Sequence, residues 1–496
     1  PARATRFGYN QRMSNQHAHP SRRTLAVTRA IAWAVAVIAA LVALRGVFHE
    51  GHASDEAVAA VPNWWVGCMP FAVLLACMAV LPLVPATEHW WESNTSKLAL
   101  SGLMGLSALA WLATKVDRDT AVISAAHGAA EYVPFLVLLL SLFVIAGGVR
   151  VEGRLPASTL ANTALLGLGA VLANALGTTG ASMLLIRPLL RSNAHRTHRV
   201  HTVVFFIFLV SNVGGCLLPI GDPPLFLGFL RGVPFLWTMS LWKEWLAAVV
   251  MLLAMYAVMD RQLQRREPPG AAGAPSGQVR VHGWASVALL VAAVFVVALV
   301  QPGRALPGTN LAPPPLAREV ALLTLAGLSV AFEPWSVRVK HGFSLTPMGE
   351  VAALFAGIFL AMQVPLAVLG AKGGALGLDE PWKLFWGTGS LSSVLYNAPT
   401  YLVFLEVARG ATEQVPAEGL VQLAGEGLVR QDLLTGVSLG AVFMGAMTYI
   451  GNGPNLMVRA IAVREGVRMP GFGGYLAWAA VLLLPVFAAI TMLFLR

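Results

Sequence analysis

Residues 211–225 read SNVGGCLLPIGDPPL, in the middle of an apolar run long enough for a membrane helix. Glycine and proline stop the helix there and leave an aspartate where hydrocarbon should be. Backbone groups freed at bilayer depth are tolerated only where they face protein or a water-filled cavity, and an ionisable residue at that depth marks a functional site. A second copy follows at 449–456, YIGNGPNL, so that I-G-Asp222-P-P-L is answered by I-G-Asn452-G-P-N-L. Each break has a polar stretch upstream, NALGTTG at 174–180 and NAPT at 397–400. Two breaks, each preceded by a polar tip, describe a duplicated binding site.

Composition makes the lipid bilayer the solvent. Of 496 residues, 57% are hydrophobic and only 12% charged, far from the balance of a soluble globular chain. The net charge of +10 does not point to nucleic acid, because the basic residues gather in particular loops beside apolar spans, as the positive-inside rule describes. Cys68, Cys77 and Cys216 all lie inside apolar segments, which argues against a disulfide framework. G-V-S-L-G at 436–440 matches the nucleophile turn of hydrolases, but it sits in an apolar span, where Gly436 and Gly440 are spaced for helix packing. No HExxH, Walker or GxGxxG pattern occurs. We expect neither an enzyme nor an ATP-driven pump, and no cofactor.

Taken in order, residues 1–60 comprise a basic cytosolic tail and a first transmembrane helix, the apolar run 30–47. A first repeat over 61–260 contains a re-entrant hairpin at 158–191 and a broken helix at 200–230. The Pro-, Gly- and Arg-rich segment 261–280 is a linker. A second repeat over 281–496 contains a hairpin at 382–408 and a broken helix at 432–464. The expected fold is an all-α polytopic membrane protein of about eleven transmembrane helices and two re-entrant hairpins. An odd number of crossings per repeat inverts the second copy, the plan of secondary transporters whose broken helices meet near the midplane. The loop charges place the N-terminus and the linker in the cytoplasm and the C-terminus outside.

The two breaks carry the chemistry. Half-helix ends offer free N–H groups or free carbonyls, and Asn174, Thr178, Thr179, Asn397 and Thr400 bring short oxygen-bearing side chains to the tips. Gly177 lets the backbone approach a ligand; Asn212, Asn452 and Asn455 complete the expected ion-binding set. Such donors suit sodium, or can donate to a carboxylate. Asp222 is the asymmetric element, since its counterpart is neutral Asn452, so proton coupling is expected there. Glu131 and Glu350 open equivalent apolar spans and are read mainly as interfacial, with a lesser role in proton access. Glu406 is read as interfacial too. His195, His198 and His201 fall at helical spacing in a basic loop and are read as a solvated turn, because no carboxylate or cysteine joins them in sequence.

NALGTTGAS, SNVGGCLLPIGDPPLFLGFLRGVPF and YIGNGPNLM resemble the ion-transporter superfamily, and within it the bacterial NhaD-type sodium/proton antiporters and CitMHS-like citrate transporters. The likeness covers roughly residues 60–496. It implies a homodimer in a bacterial inner membrane, a scaffold domain, a transport domain that moves as an elevator, and sodium sites at hairpin tips and broken helices. Sodium/dicarboxylate relatives carry Ser-Asn-Thr at the tips. Neither tip here has it, and with Asp222 the balance falls to sodium/proton antiport; the alternative is a sodium- or proton-coupled citrate or dicarboxylate symporter.

Overall fold

A backbone that crosses hydrocarbon must satisfy its own polar groups, and the chain does so with helices. In the computed structural model, which describes residues 55–153, 156–267, 277–301, 305–340, 343–412, 419–423 and 427–496, the fold is mostly helical. The basic tail and the first apolar run lie outside the described residues, as do residues 268–276 of the linker.

The first half runs α1 (Asp55–Ala60), α2 (Trp65–Val80), α3 (Pro85–Trp91), α4 (Asn94–Lys115), α5 (Arg118–Ala146), strand β1 (Arg150–Glu152), α6 (Thr159–Ser192), α7 (Val200–Leu209), α8 (Pro223–Leu230) and α9 (Trp242–Gln264). The second runs β2 (Arg280–His282), α10 (Trp284–Leu299), α11 (Ala317–Phe332), α12 (Trp335–Lys340), α13 (Thr346–Ala361), α14 (Gln363–Lys372), α15 (Pro381–Val394) and α16 (Asn397–Thr412). A hairpin of β3 (Leu420–Leu423) and β4 (Gly427–Arg430) leads to α17 (Gln431–Met444), α18 (Gly453–Arg464) and α19 (Phe472–Phe494). Among the described residues, five helices are long and apolar enough to cross a membrane, or six when α13 and its continuation, bent by 45°, count as one span.

Helix α5 begins well before the apolar span expected from residue 132. Asp117 caps it, accepting the backbone N–H of Thr120 at 2.6 Å. Its less apolar first turns are small enough to press on a neighbour: a Cβ on Gly128 would stand 2.7 Å from the Phe359 carbonyl. Backbone contact recurs where α4 meets α13. A Cβ on Gly357 would lie 1.9 Å from the Ser101 carbonyl, and Ser101 donates to the carbonyl of Ala353 at 2.6 Å. Lys97 and Glu350 close the same seam at 2.7 Å. Gly436 and Gly440 do likewise, pressing α17 onto the Pro381 and Phe385 carbonyls of α15.

Helix α6 is two helices. Gly177 at φ +72° and ψ +152° interrupts it, a conformation that favours glycine. Residues 31 positions apart in one straight helix stand about 46 Å apart, yet the amides of Asn162 and Asn193 bond each other reciprocally at 2.9 Å. The chain therefore turns back on itself at Gly177. Helices α15 and α16 fold back in the same way across the extended Leu395 (φ −115°, ψ +169°); a Cβ on Gly387 would meet the Phe404 ring at 3.1 Å.

Strands β1 and β2 pair antiparallel, Val151 opposite Val281, which ties together the chain on either side of the first hairpin and first broken helix. Arg338 reinforces that region by donating to the carbonyls of Val144, Ser329 and Glu333.

Candidate functional site

Both broken helices stop for the same local reason. After α7 a 3-10 turn, Val213–Cys216, leads to Gly221 and Asp222; after α17 a turn, Gly445–Met447, leads to Gly451 and Asn452. A Cβ on Gly221 would lie 2.3 Å from the Gly215 carbonyl, and one on Gly451 would lie 2.6 Å from the Gly445 carbonyl. The two loops thus fold on the same glycine contacts, 230 positions apart. Helix resumes at Pro223 and at Gly453-Pro454, where proline dispenses with an N–H partner.

Each hairpin tip docks on one of these loops through its backbone. The N–H of Thr178 donates to the Gly221 carbonyl at 2.7 Å, and that of Asn397 donates to the Gly451 carbonyl at 3.0 Å. Thr178 is therefore the counterpart of Asn397. Asn174 is expected at the tip with Thr178, but the turn is fixed by the positive φ of Gly177, and Asn174 lies back on the first arm. Its amide donates to the carbonyls of Ala170 and Val171 at 3.2 Å, and its oxygen accepts the N–H of Leu217 at 2.7 Å. Asn174 fastens the hairpin to the broken helix.

Asp222 is where the four elements converge. Its carboxylate accepts from the Thr178 hydroxyl at 2.8 Å, from the Asn397 amide at 2.7 Å and from the Asn452 amide at 2.9 Å. It is 1% exposed. The side chain does not cap α8: residues 223 and 224 are prolines without an N–H, and the N–H of Leu225 donates to the Asp222 backbone carbonyl at 3.1 Å. A carboxylate has about four lone-pair sites, so three donors leave one open.

Neighbouring amides brace this centre. Asn452 also donates to the Ser211 carbonyl at 3.0 Å. Asn212 donates to the oxygen of Asn455 at 2.8 Å, and Asn455 to the carbonyls of Gly445 and Thr448 at 2.9 Å. The oxygen of Asn212 is buried and accepts no hydrogen bond. Thr400 donates to the carbonyl of Tyr396, the residue before its helix, and supports the tip from within.

A cavity opens beside the tips, lined by Gly177, Thr178, Thr179, Asn397 and Asn452 and walled by apolar side chains of α5 and α13, among them Phe135, Phe143, Val351 and Phe355. No Lys, Arg or His side chain is among its lining residues. Asn174, Asn212, Asp222, Thr400 and Asn455 stand outside the lining, Asp222 directly behind Thr178, Asn397 and Asn452.

Glu131 is not at the start of a span but in the middle of α5, just before the cavity wall. It meets Arg231, the residue after α8, at 2.6 Å; Arg231 reaches Glu406 of α16 at 3.4 Å. Glu406 meets Arg409 at 2.8 Å and Arg409 meets Asp55 at 2.7 Å. Glu406, read as interfacial, is 4% exposed. This ladder of alternating charge went unread in the sequence, although an arginine directly after an eight-residue half-helix was its signal. Glu350 pairs with Lys97 and stands outside the cavity lining.

The histidines do not form a solvated cluster. His195 is exposed, but His201 is buried, 2.7 Å from Asp260, which also meets Arg196 at 2.7 Å and accepts from Thr159 at 2.6 Å. Carboxylates do join this loop, from the far end of α9. Glu267 accepts the N–H groups of Thr197 and His198 at 2.9 and 2.8 Å. Burial pushes the Glu267 carboxyl up, but the two N–H groups outweigh it and hold the group below the usual carboxylate range. Among the described residues no set of three His, Cys, Asp or Glu side chains is placed to hold a metal.

Residues 58–495 match the family model described as "Putative citrate transport". No curated protein matches the chain.

Proposed function

The chain belongs to this citrate-transport family, whose matched region takes in both hairpins and both broken helices, and we propose that, as a secondary transporter, it exchanges sodium for protons at Asp222. The observation that carries this reading is the charge beside the cavity. A carboxylate, Asp222, stands directly behind the lining residues Thr178, Asn397 and Asn452 that donate to it, and no cationic side chain lines the cavity. Citrate or a dicarboxylate would need charge-assisted partners, above all arginine, and would meet Asp222 instead. A hard cation finds oxygens there: the hydroxyls of Thr178 and Thr179 in the lining and, directly behind Thr178, the Asp222 carboxylate.

A lone charge at bilayer depth costs at least ~2.5 to 3.5 kcal/mol on insertion scales. Asp222 therefore crosses either as the neutral acid or as a carboxylate neutralised by the bound ion. Sodium entering drives the proton off, and a proton entering drives sodium off. One carboxylate shared by competing ions is what exchange requires.

The wider architecture belongs to the same proposal: two inverted repeats, about eleven crossings with two re-entrant hairpins, the N-terminus inside and the C-terminus outside a bacterial inner membrane. The hairpins and broken helices move as an elevator within a homodimer. The recurrence of the glycine contacts and of the tip-to-loop hydrogen bonds supports the repeats.

Citrate symport is the second reading, favoured by the family's description. In it Asp222 would serve as a helix cap, whereas its side chain accepts no hydrogen bond from the α8 backbone. A sodium jump on proteoliposomes with a pH dye inside separates the readings. Antiport alkalinises the lumen without citrate; a citrate symporter leaves it unchanged until citrate is added.

A further inference from the structure

The proposed exchange rests on one carboxylate, and the duplicated position beside it is neutral. Asn452 occupies in the second broken helix the place of Asp222 in the first, and its amide donates to that same carboxylate at 2.9 Å. The cavity lining contains no side chain of either charge. Among the described residues the other buried carboxylates are held in ion pairs, Asp260 with Arg196 at 2.7 Å, Glu319 with Arg318 at 2.6 Å and Glu406 with Arg409 at 2.8 Å, as are the partly buried Glu131 with Arg231 at 2.6 Å and Glu350 with Lys97 at 2.7 Å. Glu244 of α9 lies within electrostatic reach of Cys216, as Asp222 does; it is partly buried, with one oxygen shielded and unpartnered, but lines no part of the cavity.

From this charge census we infer that the exchange is electroneutral, one monovalent cation against one proton. The balance is Asp222–COOH plus Na+ giving Asp222–COO−·Na+ plus H+. The proton leaves to water, the carboxylate keeps its electron pair, and the moving unit carries zero net charge in both directions. A second carboxylate at 452 would break that equality, because two protons would then oppose one cation. The asymmetry between Asp222 and Asn452 thus sets the coupling ratio and makes transport blind to membrane potential. This inference rests on the sodium/proton reading of the same site.

The test uses the wild-type chain in proteoliposomes, with potassium and valinomycin setting the potential, and reads the pH gradient at balance against a fixed sodium gradient. Neutral exchange reaches the same balance at zero and at about −100 mV. One net charge per cycle would shift the ion ratio at balance about fiftyfold per 100 mV, from about 2.3 kcal/mol per charge. A shift of that kind overturns the inference and leaves sodium/proton exchange standing. No sodium-driven proton movement at any potential overturns both. Asn452→Asp should make the balance voltage-dependent, and a transporting Asn452→Asp that stays voltage-blind also refutes the charge count. If that variant fails to fold, the wild-type measurement decides alone. Glu244→Gln should leave the neutral balance unchanged, and a voltage dependence appearing in it would contradict the census.

Discussion

Replacing Arg231 with glutamine should be among the most damaging single changes outside the ion site, and the structure says how the damage divides. Arg231 meets Glu131 at 2.6 Å and Glu406 at 3.4 Å, and both carboxylates are largely shielded from water. Glu406 keeps Arg409 at 2.8 Å when Arg231 is lost. Glu131 has no such reserve: its second oxygen is already buried without a hydrogen bond. Breaking a buried pair by removing one partner costs roughly 3 to 5 kcal/mol because the other charge is left uncompensated. At ~2 to 4 °C per kcal/mol for chains larger than small domains, Arg231→Gln should melt at least ~6 °C below wild type in detergent. Glu131→Gln should cost less, because Arg231 retains Glu406, and the double variant Glu131→Gln/Arg231→Gln should recover much of the loss, as a coupled pair does. Melting of the purified variants by intrinsic tryptophan fluorescence gives the four corners of the cycle. Additive losses, or an Arg231→Gln protein that melts with wild type, would show that the ladder does not join α5 to α8 and α16 as described.

Gly357→Val should abolish accumulation of folded protein in membranes, because a Cβ there meets the Ser101 backbone at 1.9 Å, whereas Gly327→Ala, with nothing within 4 Å, should be silent; quantitative blotting of membranes compares the two. Overpacking costs of ~1 to 3 kcal/mol are usual where side chains can give way, and here backbone faces backbone. Glu267→Gln should speed amide exchange at Thr197 and His198, whose N–H groups it accepts. Because the Glu267 carboxyl is held below its usual range, its contribution in wild type is present at neutral pH and is lost as pH falls through the depressed value, so exchange of those two amides, corrected for intrinsic rates, should rise only in acid. Asn174→Leu should loosen the first tip from the broken helix and weaken sodium dependence without abolishing transport, read as a rise in the sodium concentration for half-maximal flux.

What the sequence could reveal was set by local chemistry. The breaks at Asp222 and Asn452 were legible because glycine, proline and a carboxylate in an apolar run have no other reading, and the tips were legible because polar residues interrupt apolar arms. The place of Asn174 on the first arm was not, since the turn is made by the backbone angle of Gly177. The start of α5 was hidden because its first turns are held by a cap and by contact with α13, features that hydropathy does not register. The ladder from Glu131 to Asp55 and the Asp260 cluster join residues from 59 to 354 positions apart. Glu131 and Glu406 looked interfacial and the histidine loop solvated until the fold brought their partners alongside.

The central claim is that one carboxylate serves both ions, and Asp222→Asn tests it most directly. The substitution keeps the size of the side chain; its one oxygen can still accept from Thr178 and Asn452, and its NH2 can donate to the Asn397 oxygen once that amide turns over, so the protein should fold. A sodium jump on vesicles carrying this variant, with the pH dye inside, should give no proton efflux, while sodium binding survives weakly. Proton efflux at near wild-type rate from Asp222→Asn would contradict the account.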